Sequence, residues 1–255
     1  MKIKKIQKQK DNKYKLIMDG GDTLITYDDV ILKHQLLYNK DISNEFYSEL
    51  SKDTLYYSFY NKVLKFIQKR IRSKKEIIDY LEKNNISDEF SSKIIDTLMK
   101  NGFINDEKFC KAYIYDKIYL SSIGPNKIYK ELIEHRIDDS IIKRYLDEID
   151  DDVIYNHLYK LIDKKIKQNH KYSRSILKQK IISYYLEQGY LKEMISLIFD
   201  ELYEEDITII DKEYRKLKDK LSKKYKDKEL EYQLVSKLYQ KGFLKEEIDK
   251  IKESF

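Results

Sequence analysis

The chain has 255 residues, of which 41% are hydrophobic and 38% charged, with a formal charge of +6. This balance fits thin helical units packed in series better than one thick globule, and the mild basicity suits a polyanion or an acidic protein partner. Cys110 is the one cysteine, which excludes an internal disulfide, and no apolar run approaches the ~20 residues that a membrane helix needs.

At the N-terminus, "MKIKKIQKQK" carries charge with no apolar segment behind it, so it is not a signal peptide. A cytoplasmic monomer with no membrane association is expected. "KIKKIQKQ", "KYKLIM" and "TLITY" read as short strands, with "MDGGD" as a hairpin turn. "DDVILKHQLLY" and "SNEFYSEL" then read as helical. The segment "YYSFYNKVLKFIQKR" is amphipathic through Phe59, Val63, Phe66 and Ile67.

From there one apolar pattern recurs. Its slots are an apolar residue, a second four later, a third five beyond, and a fourth eight further on. Ile77, Leu81, Ile86 and Ile94 fill them first, and Ile128, Leu132, Ile137 and Tyr145 next. Ile181, Tyr185, Tyr190 and Ile198 follow, and Leu234, Leu238, Phe243 and Ile251 come last. The copies are offset by 51, 53 and 53 residues, the kind of period that repeat architectures show. Positions four apart share a helix face, the five-residue step crosses a turn, and the eight-residue step runs along a second helix. Asn85, Arg136, Gly189 and Gly242 occupy the turn; glycine and asparagine suit a left-handed helix end, and Arg136 fits it poorly. Ser87 and Asp138 stand where the following helix needs a cap. "SKKE" (Ser73 to Glu76) reads as a capping box, and Pro125, the single proline, as a first helical residue.

The expected fold is mainly all-α: an elongated array of tandem three-helix repeats with a small N-terminal β-hairpin/helix subdomain. The expected division is 1–54 for that subdomain, then repeats at 55–104, 105–150, 151–203 and 204–255.

Signs of catalysis and cofactor binding are missing. All six glycines have structural roles, which leaves none for a phosphate loop. His34, His135, His157 and His170 have no partner four residues away and no accompanying cysteines, so no metal site is expected. Cys110 reads as a small buried hydrophobe, Asp150, Asp151 and Asp152 as a solvated junction, and most of the 24 tyrosines as core or boundary residues. No enzyme and no cofactor are expected. What remains is charge. Residues 160–180 hold eight Lys/Arg against one acid, and residues 212–228 hold nine against three; acidic junctions at 147–152 and 204–206 precede them. Individually such lysines line solvated helix faces, and together they offer a surface to phosphates or an acidic partner.

Several motifs, in order, resemble those of the RecX family. "RIRSKKEIIDYL" (Arg70, Arg72, Ser73, Glu76, Leu81) is similar to the arginine-rich start of that family's first repeat. "NGFINDEKFCKAYI" resembles its glycine–apolar–apolar–Asp-Asp segment through Gly102, Phe103, Ile104, Asp106 and Phe109. "GPNKIYKELIEHRI" resembles the start of the second repeat through Gly124, Pro125, Ile128, Glu131, Leu132 and Ile137, and "KQKIISYYLEQGY" that of the third. The likeness runs from about Tyr56 to Leu202, and the hairpin and fourth repeat look like those of longer members. Asn105, Cys110 and Arg136 depart from the pattern, replacing aspartate, alanine and glycine.

The resemblance implies a non-enzymatic modulator that lies along the RecA–DNA filament and impedes ATP hydrolysis, strand exchange or filament growth. The expected docking residues are Arg70, Arg72, Lys74 and Lys75, with Lys164, Lys165, Lys167, Arg174 and Lys178. The expected partners are the RecA filament and single-stranded DNA. Two other classes stay open: a single-stranded nucleic-acid-binding module acting without RecA, and a helical-repeat protein-interaction adaptor.

Overall fold

The computed structural model describes residues 1–169, 171–204 and 208–253. His170 and the last two residues of the acidic 204–206 junction lie outside the described residues. The chain divides into two compact units, Met1–Phe109 and Cys110–Phe255.

In the first unit, β1 (Ile3–Lys8), β2 (Lys13–Met18) and β3 (Thr23–Tyr27) form an antiparallel sheet in chain order. The β1–β2 turn holds Asp11 and Asn12 at φ 60° and 55°, a conformation that short polar side chains tolerate best after glycine. The glycine-containing turn joins β2 to β3, where the Gly21 N–H donates to the Met18 carbonyl at 3.1 Å. Helix α1 (Asp28–Lys33) is shorter than "DDVILKHQLLY" suggests. Gln35 turns left-handed (φ 48°) and the Leu36 N–H bonds back to the Ile31 carbonyl at 3.0 Å, which tucks Leu36 into the core.

Helix α2 (Asn44–Ile67) is continuous for 24 residues, and its Ser43 cap accepts the Phe46 N–H at 3.1 Å. It serves two cores in turn. Leu50 packs with Ile3, Leu16, Met18, Val30, Ile31, Leu36 and Ile42. About two to four turns later, Tyr56, Tyr60 and Val63 pack with residues of α3 (Lys74–Lys83) and α4 (Asp88–Lys100), including Ile77, Leu81, Ile94 and Leu98. Each such Ile or Leu contributes about 1.5–3 kcal/mol by leaving water.

Helix α5 (Asp106–Leu120) carries the division between the units, and Cys110 on it is fully buried. The second unit continues with α6 (Pro125–Glu134), α7 (Asp139–Asp147), α8 (Asp151–Lys167), α9 (Arg174–Glu187) and α10 (Lys192–Leu202). It ends with α11 (Thr208–Leu221), α12 (Asp227–Gln240) and α13 (Lys245–Glu253). No helix among the described residues is long and apolar enough to cross a membrane.

The recurring slots have one local cause. Asn85, Arg136, Gly189 and Gly242 all adopt positive φ, at 53°, 59°, 91° and 81°. In each case the residue after the turn donates its N–H to the carbonyl of the second slot: Ile86 to Leu81, Ile137 to Leu132, Tyr190 to Tyr185 and Phe243 to Leu238, all at 3.0–3.2 Å. This is the Schellman helix end, in which the two bonded residues also pack their side chains together. The first three slots are buried in all four copies. Arg136 thus takes the left-handed geometry that its side chain disfavours, because the same hydrogen bond and the same buried pair hold it there. The fourth slot varies: Ile94 and Ile198 are fully buried, whereas Tyr145 and Ile251 are half-buried and Ile142 and Ile248 fill the core three residues earlier.

Helix starts follow the expected chemistry with one exception. Ser73 and Glu76 form the reciprocal capping box, Pro125 opens α6, and Asp138 accepts the Ser140 N–H at 2.9 Å. Ser87 sits at the cap position of α4 but makes no side-chain capping bond.

Candidate functional site

The expected docking residues fall into two sets, one per unit. In the first unit, Arg70 and Arg72 converge on a single carboxylate, that of Glu76, with Arg72 Nη1 3.2 Å from Oε1. Glu76 also closes the capping box: its N–H donates to Ser73 Oγ at 3.2 Å, and its Oε2 accepts the Ser73 N–H at 3.1 Å. The Arg72 guanidinium lies 3.9 Å above the Phe66 ring, and its side chain is only 13% exposed. Burial alone would raise the Glu76 carboxyl, but hydrogen bonds from Arg70, the Ser73 N–H and Arg72 together hold it below the usual value. Lys75 pairs with Asp79 at 2.6 Å, and Lys74 is half-buried with no carboxylate partner among the described residues. Most of this set therefore staples the start of α3.

In the second unit, Lys164, Lys165 and Lys167 occupy the last turn of α8, where positive charge complements the helix dipole. Lys167 pairs with Asp163 at 2.7 Å. Arg174 and Lys178 on α9 both reach Asp200 on α10, at 3.0 and 2.5 Å. Lys178 and then Arg174 hold the Asp200 carboxyl below its ordinary value, although the side chain is exposed. Lys164 is exposed, and Lys165 lies 4.8 Å above the Tyr184 ring.

Beside Lys165 is a groove of about 590 Å³ between the end of α8 and α9. Its lining includes Lys165, Lys171, Lys180, Tyr172, Tyr184 and Tyr185, with no carboxylate among the described residues. Lys171 and Lys180 each stand 4.8 Å from the Tyr172 ring, with Lys241 at 6.0 Å. A hydrogen bond from Lys171, then the charges of Lys171, Lys180 and Lys241, lower the Tyr172 phenol from its usual value. Since Asp163 and Asp200 are taken by Lys167, Arg174 and Lys178, the groove lysines have no carboxylate counter-ion among the described residues. Lys171, Tyr172, Lys180 and Tyr184 were not among the expected site residues. The available signal was the alternation of Lys and Tyr in "KYSRSILKQKIISYY"; helix phase then leaves Tyr184 39% exposed and buries Tyr185 to 1%. The second basic stretch, 212–228, lies on α11 and the start of α12, and its Lys and Arg side chains are exposed.

Among the described residues, His34, Glu49 and Asp53 bring donor atoms within 4.8 Å of one another, a grouping that their sequence spacing hides. Asp53 Oδ2 is already held by Lys33 Nζ at 2.5 Å and His34 Nε2 at 2.6 Å, so an ammonium stands where a metal ion would need the carboxylate. Burial works to raise the Asp53 carboxyl, and these two hydrogen bonds outweigh it and lower it.

Helices, turns and surface together define an α-helical repeat protein with a small N-terminal sheet and, in its second unit, two local basic stretches at 160–180 and 212–228. Residues 105–146 match the family model described as "RecX, second three-helix domain". The chain is similar to regulatory protein RecX of Streptococcus uberis, 28% identical over 98% of each chain. It is 29% identical to that of Listeria monocytogenes serotype 4a, over 95% of this chain and 93% of the relative. It superposes on a crystal structure of regulatory protein RecX with a TM-score of 0.64 at 20% identity, covering 78% of this chain and 98% of the other. The crystal structure of RecX from Lactobacillus salivarius gives 0.51 at 26% identity, covering 58% and 96%. Along nearly its whole length the chain is similar to regulatory proteins of the RecX family, and it shares their fold.

Proposed function

We propose that this regulator binds the RecA–DNA filament and inhibits or modulates ATP hydrolysis, strand exchange or filament growth. The observation that carries the reading is the near full-length similarity to relatives named regulatory protein RecX. The physical support is the surface of the second unit, where Lys164 and Lys165 at the end of α8 and Lys171 and Lys180 beside α9 have no carboxylate partner among the described residues. Such a surface steers toward a polyanion and fixes its register more than it supplies affinity.

The docking set is proposed as Arg70, Arg72, Lys74, Lys75, Lys164, Lys165, Lys167, Arg174 and Lys178. Within it, Lys74, Lys164 and Lys165 are assigned the larger electrostatic share, because the others already have a carboxylate. The division into 1–54 and repeats 55–104, 105–150, 151–203 and 204–255 belongs to the same proposal. It is supported by the two successive cores along α2 and by the four left-handed turns.

The test is the single-stranded-DNA-dependent ATPase of the cognate RecA, titrated with this protein. Suppression at concentrations well below those that coat bare DNA in the same buffer is expected. An unaffected ATPase would overturn the reading.

A further inference from the structure

We infer that the α8–α9 groove is a binding site for an unstacked nucleotide of single-stranded nucleic acid, with the base against Tyr184 and the flanking phosphates on Lys165, Lys171 and Lys180. The inference stands on the groove's own geometry and would survive the loss of the filament reading.

The chemistry of the lining selects the ligand class. Three ammonium groups surround a groove whose described lining holds no acid, so its field favours an anion. The rest of the lining is mainly aromatic and aliphatic: Tyr172, Tyr184, Tyr185, Leu177 and Ile181. An acidic peptide would satisfy the lysines and leave these faces uncovered. A nucleotide supplies both a phosphate and a flat ring. The dimensions agree, since about 590 Å³ lies within the range of small-ligand sites.

Tyr184 is the ring in position to stack. It is 39% exposed, it is held edge-on by Tyr185 at 4.9 Å, and Lys165 sits 4.8 Å from its centroid. Tyr184 and Lys180 also line an adjoining groove of about 550 Å³ with Gln179, Ser183 and Glu187, so the strand has a path past the ring. Bases paired in a duplex do not present their faces, which makes the site selective for single strands.

The site is rigidly backed. The Ser173 N–H, which follows Tyr172 directly, donates to the Lys241 carbonyl at 3.2 Å, and Gly242 lies so close that a Cβ there would meet Ser173 Oγ at 2.5 Å. The neighbouring α12–α13 turn therefore fixes the loop that carries Lys171 and Tyr172.

The test uses the full chain and fluorescence anisotropy with a labelled fifteen-residue thymidine strand. The arms are an abasic strand of the same length, the matched duplex, free ATP and polyglutamate. The thymidine strand is expected to bind about tenfold or more tighter than the abasic strand and the duplex. Tyr184→Ala should remove that preference and abolish quenching of a 2-aminopurine base placed in the strand. Lys171→Ala with Lys180→Ala should weaken both strands alike and lower the salt slope by about 1.4, whereas Lys216→Ala with Lys220→Ala on α11 should leave base preference intact. Equal binding of thymidine and abasic strands would overturn the site as a base-stacking one. So would a duplex that binds as tightly, competition by polyglutamate at equal charge, or saturation by ATP alone at the strand's own affinity. A silent RecA ATPase with intact base preference would sink the filament reading and leave this site standing.

Discussion

Gly124 and Gly189, far apart in sequence, meet backbone to backbone. The Gly124 N–H donates to the Gln188 carbonyl at 2.7 Å, and the Asn126 N–H to the Gly189 carbonyl at 3.2 Å. A Cβ on Gly124 would lie 2.9 Å from the Gly189 carbonyl, and one on Gly189 would lie 2.4 Å from the Lys127 nitrogen. Gly189 also has φ 91°, so two independent reasons demand glycine there. Gly189→Ala is expected to destabilise the chain by about 2–5 kcal/mol, combining backbone strain and overpacking. Gly20→Ala, with nothing within 4 Å, is the control. Urea unfolding of the two variants decides the matter; equal midpoints would refute the packing argument.

Arg136 presents the opposite case. It is exposed and sits at φ 59°, in a turn that the Ile137–Leu132 hydrogen bond imposes. Arg136→Gly is expected to stabilise by about 1 kcal/mol, because the relief of left-handed strain exceeds the added freedom of the unfolded chain. A lowered melting temperature would show that the arginine side chain makes a contribution that outweighs its backbone cost.

Glu76 joins a helix cap to two guanidinium groups. Glu76→Gln should cost about 1–2 kcal/mol at neutral pH, since it leaves Arg72 buried over Phe66 without its anion. The carboxyl is held below its unfolded value, so its contribution is complete above the unfolded carboxylate range of about 4.3. That contribution disappears as pH falls through the lower folded value. The stability gap between wild type and variant, followed by urea melts from pH 7 to 3, should stay constant down to that range and then close. A gap that narrows already near neutrality would point to another titrating group.

Asp200 neutralises both Arg174 and Lys178. Asp200→Asn should change stability by less than about 1 kcal/mol, as exposed pairs do, while increasing affinity for single strands and steepening its salt dependence. Unchanged affinity would mean that α9's outer face does not meet the polyanion.

Much of the fold was legible because its determinants are local. Leu81 and Ile86, or Leu238 and Phe243, stand five apart because one left-handed residue closes a Schellman turn between them, and that spacing survives in the sequence whatever the turn residue is. Capping chemistry at Ser73 and Asp138 and the proline at Pro125 are equally local. The early end of α1 at Gln35 was hidden, because "HQLLY" carries no breaker and only the burial of Leu36 in the sheet's core stops the helix.

The candidate site was legible only as a region. The excess of lysine in residues 160–180 is visible in the letters alone, and so is the helical phase that separates exposed Tyr184 from buried Tyr185 once α9 is drawn. Which lysines keep their charge available was decided in three dimensions. Asp200 is 26 residues from Arg174 along the chain and reaches it only because α9 packs against α10. Lys171 and Lys180 come together because the α8–α9 turn folds one back over the ring that the other flanks. Local hydrogen bonds and helical period set the repeating units; the pairing of charges distant in sequence depends on packing between helices, and there the chain's own letters are silent.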